Sequence, residues 1–277
     1  MSNISKTYKT ANAFVKEDCP EEGFDFQELM YHTLKTEGNF KINKPVSFSW
    51  QVKDDKKTSE ARFELLPDLD FDVTLDACRL FGSNMAGMHN LSSILMISKE
   101  LPYLDNKILH DTDSLEDDIL HDVDSFRDID ISIAEMSLRE LIVSTCKFMP
   151  VMTLPLHRDF RLHNIVFDGS CYHLIDFDFA AYDDVSMEVM GMVVDLLQHG
   201  FEYVEAFLTA YVESSNIDTY DSMASNYLLY LATSCFPYDR EATLEPQAFE
   251  NLTTERSERL IRLYLNMDNI AKFFQNK

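Results

Sequence analysis

The sequence predicts an α+β protein, with a small sheet at the N-terminal end and a mostly helical C-terminal part. Residues 11–66 hold short apolar runs bounded by polar turns, whereas beyond residue 186 the apolar side chains recur at helical spacing. Between these regions lies LPLHRDFRLHNIVFDGSCYHLIDFDFA, Leu154 to Ala180, which sets acid, amide and imidazole groups between two short apolar runs. With 277 residues the chain has ample capacity for a core, either as two lobes or as one large domain.

In chain order, Ala11 to Lys16 is a short strand-like run ending in a lysine. Phe24 to Thr36 begins a helical pattern with Leu29, Met30 and Leu34 on one face. Lys44 and Pro45 precede a second strand, Val46 to Val52. The charged turn Asp54 to Lys57 then leads to a third, Ala61 to Leu66, which Pro67 ends. From Val73 to Leu91 the apolar positions Leu75, Cys78, Leu80, Met85 and Met88 are helical, although Gly82 and Gly87 weaken the pattern; His89 is read as a packed structural histidine. An internal repeat follows, ILHDTDSLEDD from Ile108 and ILHDVDSFRDI from Ile119, whose period returns His110 and His121 to nearly the same helical face; it is read as a solvated acidic segment. Helices are expected at Ile131 to Phe148, Ser186 to Leu197, Tyr203 to Val212, Tyr220 to Phe236 and Glu255 to Phe274. The aromatic stripe Tyr203, Phe207, Tyr211 is read as core.

The chemistry is expected in the central stretch. His157, Arg158 and Asp159 open a polar loop that Asn164 closes. Ile165 to Phe167 and Tyr172 to Ile175 form two strands joined by a turn at Asp168, Gly169 and Ser170, and the second strand delivers Asp176, followed by Asp178. Three oxygen-bearing side chains, Asp159, Asn164 and Asp176, thus meet at the mouth of one hairpin. Such hard donors suit Mg²⁺, which takes one or two carboxylates from protein and fills its other positions with water and substrate phosphates. Phosphoryl transfer needs such an ion and a carboxylate that orients and accepts the proton of the attacking hydroxyl.

The spacing H-x-D-x-x-x-x-N followed by a strand-borne Asp is the kinase catalytic-loop pattern. Through HRDFRLHN and LIDFDFAAY the sequence resembles the kinase-like phosphotransferases of small molecules, the aminoglycoside phosphotransferase and choline/ethanolamine kinase group. The resemblance implies a protein-kinase-like two-lobed fold. Residues 1–66 would form a small, truncated N-terminal nucleotide-binding lobe and residues 67–277 the catalytic and substrate lobe. It implies ATP and Mg²⁺ as cofactors, with Asp159 as base and Asn164, Asp176 and Asp178 as metal ligands. Lys16 would hold the nucleotide's phosphates and be held in turn by Glu28. Adenine would meet a hinge at Glu64 to Leu66, and Glu188, with Tyr182 aligned nearby, would steady the catalytic loop. No role attaches to Arg158. No glycine occurs before Gly23, where a phosphate-covering loop would use it, and this favours an alternative: a kinase-like binding module without turnover.

Composition bounds the partners. Forty-eight acidic residues against 24 basic ones give a net charge of −24, which argues against nucleic acid and anionic membranes and permits a cationic small-molecule substrate. Five scattered cysteines without a CxxC pair read as free thiols in a reducing cytosol. No apolar run approaches a membrane span and no signal-peptide core opens the chain, so a cytoplasmic protein is expected.

Overall fold

The structure, a computed structural model, describes residues 6–11, 13–53, 56–67, 69–98, 132–133, 136–137, 153–217, 266, 269–270 and 272–273. It divides into two compact units. The first is built from residues 1–107, 154–183 and 206–217, the second from 108–153, 184–205 and 218–277.

The first unit opens with a four-stranded antiparallel sheet in the order β1-β2-β5-β4, made of β1 (Lys6–Lys9), β2 (Ala13–Glu17), β4 (Pro45–Lys53) and β5 (Lys56–Glu64). Register runs from Ala13↔Glu64 to Glu17↔Glu60 between β2 and β5, and from Pro45↔Phe63 to Lys53↔Lys56 between β4 and β5. Because side chains alternate across a strand, Val15, Ala61 and Phe63 fall on buried positions. Ala61, Phe63, Cys19 and Phe24 form one cluster with Phe14 and Phe48 against it. Phe24 comes from helix α1 (Glu21–Thr33), whose first turn carries Glu21 and Glu22 as a complement to the helix dipole.

A second, three-stranded sheet of β3 (Phe40–Ile42), β10 (Tyr172–Leu174) and β9 (Ile165–Phe167) joins residues 1–107 to residues 154–183 within the first unit. β10 runs parallel to β3 and antiparallel to β9. The turn between β9 and β10 is held by Asp168. Its Oδ1 accepts from the Ser170 and Cys171 amides at 2.7 Å each, its Oδ2 meets His173 Nε2 at 2.8 Å, and Gly169 takes a φ of 96° that suits glycine. These contacts, the Cys171 amide foremost, hold the Asp168 carboxyl well below the usual carboxylate range. β8 (Thr153–Leu156) pairs with β11 (Ala181–Asp184) on either side of residues 157–180.

Helix α2 (Leu75–Ser98) is capped by Thr74, whose Oγ1 accepts from the Ala77 amide at 3.1 Å. It packs on helix α4 (Phe201–Ser214), part of which belongs to the first unit, and Gly82 makes that packing possible. A Cβ there would stand 2.3 Å from the Phe207 carbonyl oxygen and 3.0 Å from the Tyr211 amide. Gly82 is thus a close-approach residue in a sound helix. His89 is packed, buried with Nδ1 at 2.8 Å from the Tyr211 hydroxyl, and Phe207 and Tyr211 are fully buried core side chains.

In the second unit, α3 (Val185–Leu197) begins at Asp184, which accepts from the Ser186 amide at 2.9 Å. Ser132–Ile133 and Met136–Ser137 form a two-residue pairing, β6 with β7, where the pattern from Ile131 predicted a helix; alternating β-branched isoleucines favour extended backbone there. The rest of that expected helix lies outside the described residues. So do the 108–129 repeat, Cys146, Cys235, the helix Tyr220 to Phe236 and most of Glu255 to Phe274. Cys19, Cys78 and Cys171 are free thiols. No helix among the described residues is long and apolar enough to cross a membrane.

Candidate active site

β8 carries the chain into the loop, and two aromatic contacts fix where it goes. Phe160 is fully buried and stacks on Phe40 of β3, with centroids 5.6 Å apart and planes 19° from parallel. His157, also buried, lies 4.3 Å from the ring of Phe177. His157 Nε2 donates to the Ile175 carbonyl at 2.8 Å while Nδ1 receives the Asp159 amide at 3.2 Å, so the two partners select the Nε2–H tautomer. One imidazole thereby ties the loop's start to the end of β10.

Asp159 stands at the centre of the loop. Its Oδ2 accepts from Asn164 Nδ2 at 2.8 Å and meets His163 Nε2 at 3.1 Å; the same Asn164 amide also donates to the Asp159 carbonyl at 2.8 Å. Burial opposes the ionised carboxylate most strongly. The hydrogen bond and charge of His163, with lesser help from Arg161, outweigh it and hold Asp159 below the usual carboxylate range. Asn164 closes a single 3₁₀ turn, Leu162 to Asn164, and its carbonyl accepts from the Ile175 amide at 3.0 Å.

Two side chains of the site sit on left-handed backbone, Arg158 at φ 66° and Asp176 at φ 65°. For residues other than glycine this conformation costs about 1–2 kcal/mol, with aspartate among the more tolerant. At Arg158 the cost is offset by an ion pair, Nε to Asp183 Oδ2 at 2.6 Å, with Asp183 buried on β11. At Asp176 the turn of the chain aims the carboxylate at Lys16, whose Nζ lies 2.6 Å from Asp176 Oδ1 and 3.1 Å from Asp178 Oδ1. Burial pulls the Lys16 ammonium down most strongly, but the charges of Asp178 and Asp176 prevail and its pKa rises.

The expected anchor of Lys16 is not where the sequence placed it. Glu28 is exposed on α1, and no ion pair joins it to Lys16 among the described residues. The helix is turned so that Gly23, Phe24, Phe26, Gln27 and Met30 are buried, and Glu28 lies one residue, about 100° of rotation, beyond Gln27. Gln27 donates instead to the Asn43 carbonyl at 2.9 Å. The hinge residues are split as well. Glu64 ends β5 with its amide bonded to the Lys44 carbonyl at 2.9 Å and its carbonyl approached by Asn43 Nδ2 at 3.4 Å, so both of its backbone groups face 43–44. Leu66, half-buried two residues on, has no backbone hydrogen bond among the described residues. Tyr182 lies on β11 in the first unit, and Glu188 is buried in the first turn of α3 in the second.

For a divalent cation the described residues offer no preformed cluster of three or more His, Cys, Asp or Glu groups. The expected donors, the carboxylates of Asp176 and Asp178 and the amide oxygen of Asn164, are hard oxygen groups whose chemistry would suit Mg²⁺, an ion that draws its remaining positions from water and phosphate.

A model of the phosphotransferase enzyme family matches residues 55–225, more than half of the chain and all of the loop just described. The chain belongs to that family. No curated protein sequence matches this phosphotransferase. Among solved structures it resembles a microcompartment-associated aminopropanol kinase, with a TM-score of 0.61 and 14% identity over 97% of this chain and 95% of the other. A choline/ethanolamine kinase family protein from Mesorhizobium loti gives 0.57 and 11% over 98% and 89%. An amicoumacin kinase in complex with AMP-PNP and Ca²⁺ gives 0.56 and 12% over 92% and 88%. Likeness at this identity shows the fold, an α+β kinase-like phosphotransferase fold. The arginine pair Arg158–Asp183, the thiol of Cys19 beside Asp178 and the glycine seat at Gly23 had no signature in the sequence, because each depends on which distant segment comes alongside.

Proposed function

We propose that this phosphotransferase transfers the γ-phosphoryl group of ATP, with Mg²⁺, to a hydroxyl of a small cationic molecule such as an aminoglycoside or choline. The observation that carries the reading is the meeting of Lys16 with Asp176 at 2.6 Å across 160 residues of sequence, beside a loop that fixes Asp159 and Asn164. In this reading Asp159 orients the acceptor hydroxyl and takes its proton. Its carboxylate is kept ionised and aimed by Asn164 and His163. Lys16 holds the nucleotide's phosphates, and Leu66 offers backbone groups to adenine just beyond β5. Asn164 and Asp176 hold Mg²⁺, with Asp178 beside them; the ion supplies neutralisation of charge on the phosphate oxygens. The acidic character of the chain, net −24, favours a cationic acceptor over an anionic one.

The test is release of ADP from ATP and Mg²⁺ in the presence of a panel of amino alcohols, aminoglycosides and neutral sugars. Acceptor-dependent release confined to cationic members is expected. Tight nucleotide binding without release on any acceptor would turn the reading toward the binding module. Release on neutral sugars alone would remove the cationic substrate.

A further inference from the structure

We propose that Asp178 is the positioning residue of Lys16, doing from the metal-binding segment what a helix glutamate was expected to do from α1; the proposal rests on the phosphotransferase reading above. Three observations support it. The Lys16 ammonium, with a side chain 6% exposed, has Asp178 Oδ1 at 3.1 Å, and the Asp178 side chain is the better buried of its two acids, 16% exposed against 35% for Asp176. The Asp176 contact is the shorter, 2.6 Å against 3.1 Å, but a charge pair is screened less where water is scarcer, so the buried acid holds the ammonium in place while the more open Asp176 keeps a face toward solvent and ligand. Asp178 is itself aimed by a third group, the buried thiol of Cys19, whose Sγ lies 3.4 Å from Asp178 Oδ1; burial foremost, then the charge of Asp178, pushes that thiol's pKa well up, so it stays an S–H donor.

The backbone explains why the acid comes from this segment. α1 sits so close to the Phe177–Asp178 peptide that a Cβ at Gly23 would stand 2.4 Å from the Phe177 carbonyl oxygen and 3.4 Å from Asp178 Cα. Phe26 of the same helix meets the ring of Phe177 at 6.0 Å. With the helix seated on the segment's backbone, Asp178 reaches Lys16 and Glu28 faces solvent. Asp176 is thereby left as the carboxylate that can turn from Lys16 to a cation.

The experiment compares wild type, Asp178→Asn, Lys16→Met, the double variant and Glu28→Arg in two measurements. The first is acylation of Lys16 by an N-hydroxysuccinimide ester in protein free of metal and nucleotide, read by peptide mass spectrometry. Slow acylation in wild type and Glu28→Arg, and acylation several-fold faster in Asp178→Asn, is expected. The second is calorimetry of ADP with EDTA and then across a Mg²⁺ series. At saturating Mg²⁺, where the cation takes Asp176 and Asp178 alone holds the ammonium, Asp178→Asn should weaken ADP binding about tenfold, the weight of one hydrogen bond to a charged group, and should add nothing to Lys16→Met. The Mg²⁺ requirement at matched nucleotide occupancy should not move. Lys16 still protected in Asp178→Asn, or exposed by Glu28→Arg, overturns the proposal. So does an Asp178→Asn protein whose sole change is a higher Mg²⁺ requirement, since that is the behaviour of a metal ligand. Should Asp178→Asn not fold, the exposed Glu28→Arg variant decides between the two anchors. If wild type binds no ADP, the phosphotransferase reading fails while the acylation result still decides what holds Lys16.

Discussion

At the scale of single residues, the geometry of the candidate loop was legible because its contacts are local. Asp159 and Asn164 are five residues apart and meet at 2.8 Å, so spacing alone placed them together. The anchor of Lys16 was not legible, because the sequence gives the order of a strand lysine and a helix glutamate but not the rotation of the helix about its axis. If Asp159 is the base, Asp159→Asn retains Mg²⁺·ATP binding and loses turnover. Positioned bases commonly contribute about 10² to 10⁴ in rate, and a drop of that order in kcat with little change in nucleotide KM is expected from ADP release. The acid limb of the pH profile follows from the same contacts. Asp159 is held below its unfolded value, so its ionised form, and the stability it contributes, are complete above that value and are lost as pH falls through the lower folded one. Turnover should therefore persist to below the ordinary aspartate pKa of about 3.9 as far as this group is concerned, until the fold itself fails. An acid limb near neutrality that vanishes in Asp159→Asn would show the carboxyl to be protonated where the geometry says it is charged. Asp176→Ala, by contrast, should abolish the Mg²⁺ dependence of nucleotide binding in calorimetry while leaving a folded protein. Unaltered Mg²⁺·ATP affinity in that variant would remove its metal role.

At the scale of elements, β9 appears at its expected residues and β4 and α3 begin and end within one residue of expectation. β5 begins five residues early, at Lys56, and β1 and β3 were not foreseen. Those last two are short: β1 is polar, and β3 has three residues, Phe40–Ile42, that become a strand only because β10 lies parallel beside them. The glycines of α2 show what periodicity misses. Gly82 and Gly87 look alike in the sequence, each a helix-weakening residue, yet a Cβ at Gly82 meets backbone of α4 at 2.3 Å whereas one at Gly87 meets only the Leu34 Cδ1 at an ordinary 3.8 Å. Alanine is the better helix former by about 1 kcal/mol, so Gly87→Ala should be neutral or raise the melting temperature. Gly82→Ala should lower it, since forcing atoms into a packed contact costs about 1–3 kcal/mol and the obstacle is main chain that cannot rotate aside. Thermal melts of the two variants side by side check this, and equal effects would mean that α2 and α4 are not in contact at Gly82.

At the scale of the whole molecule, charge decides how the nucleotide is received. A protein of net charge −24 repels a tetra-anionic nucleotide, and because salt at physiological ionic strength screens charges only beyond about 8 Å, repulsion persists wherever phosphate comes close to the carboxylates of Asp159, Asp176 and Asp178. Lys16 is already engaged by two of these acids and brings little spare positive charge. A divalent cation reverses this local balance. In the proposed reading it would satisfy Asp176, leave the ammonium free for phosphate and lower the charge of the nucleotide it accompanies. Mg²⁺·ATP should therefore stabilise the chain far more than ATP with EDTA. A ligand at 100 times its Kd adds about 2.7 kcal/mol to a native state that alone binds it, which appears as a rise of several degrees in the melting temperature. The metal-free shift should grow as monovalent salt is raised over a range that screens the acids, while the Mg²⁺·ATP shift changes less. The measurement is a melting series in nucleotide, Mg²⁺ and salt. Equal shifts with and without Mg²⁺ would show that the acids of the loop are not what the nucleotide meets, and the cation would lose its place between Asn164 and Asp176.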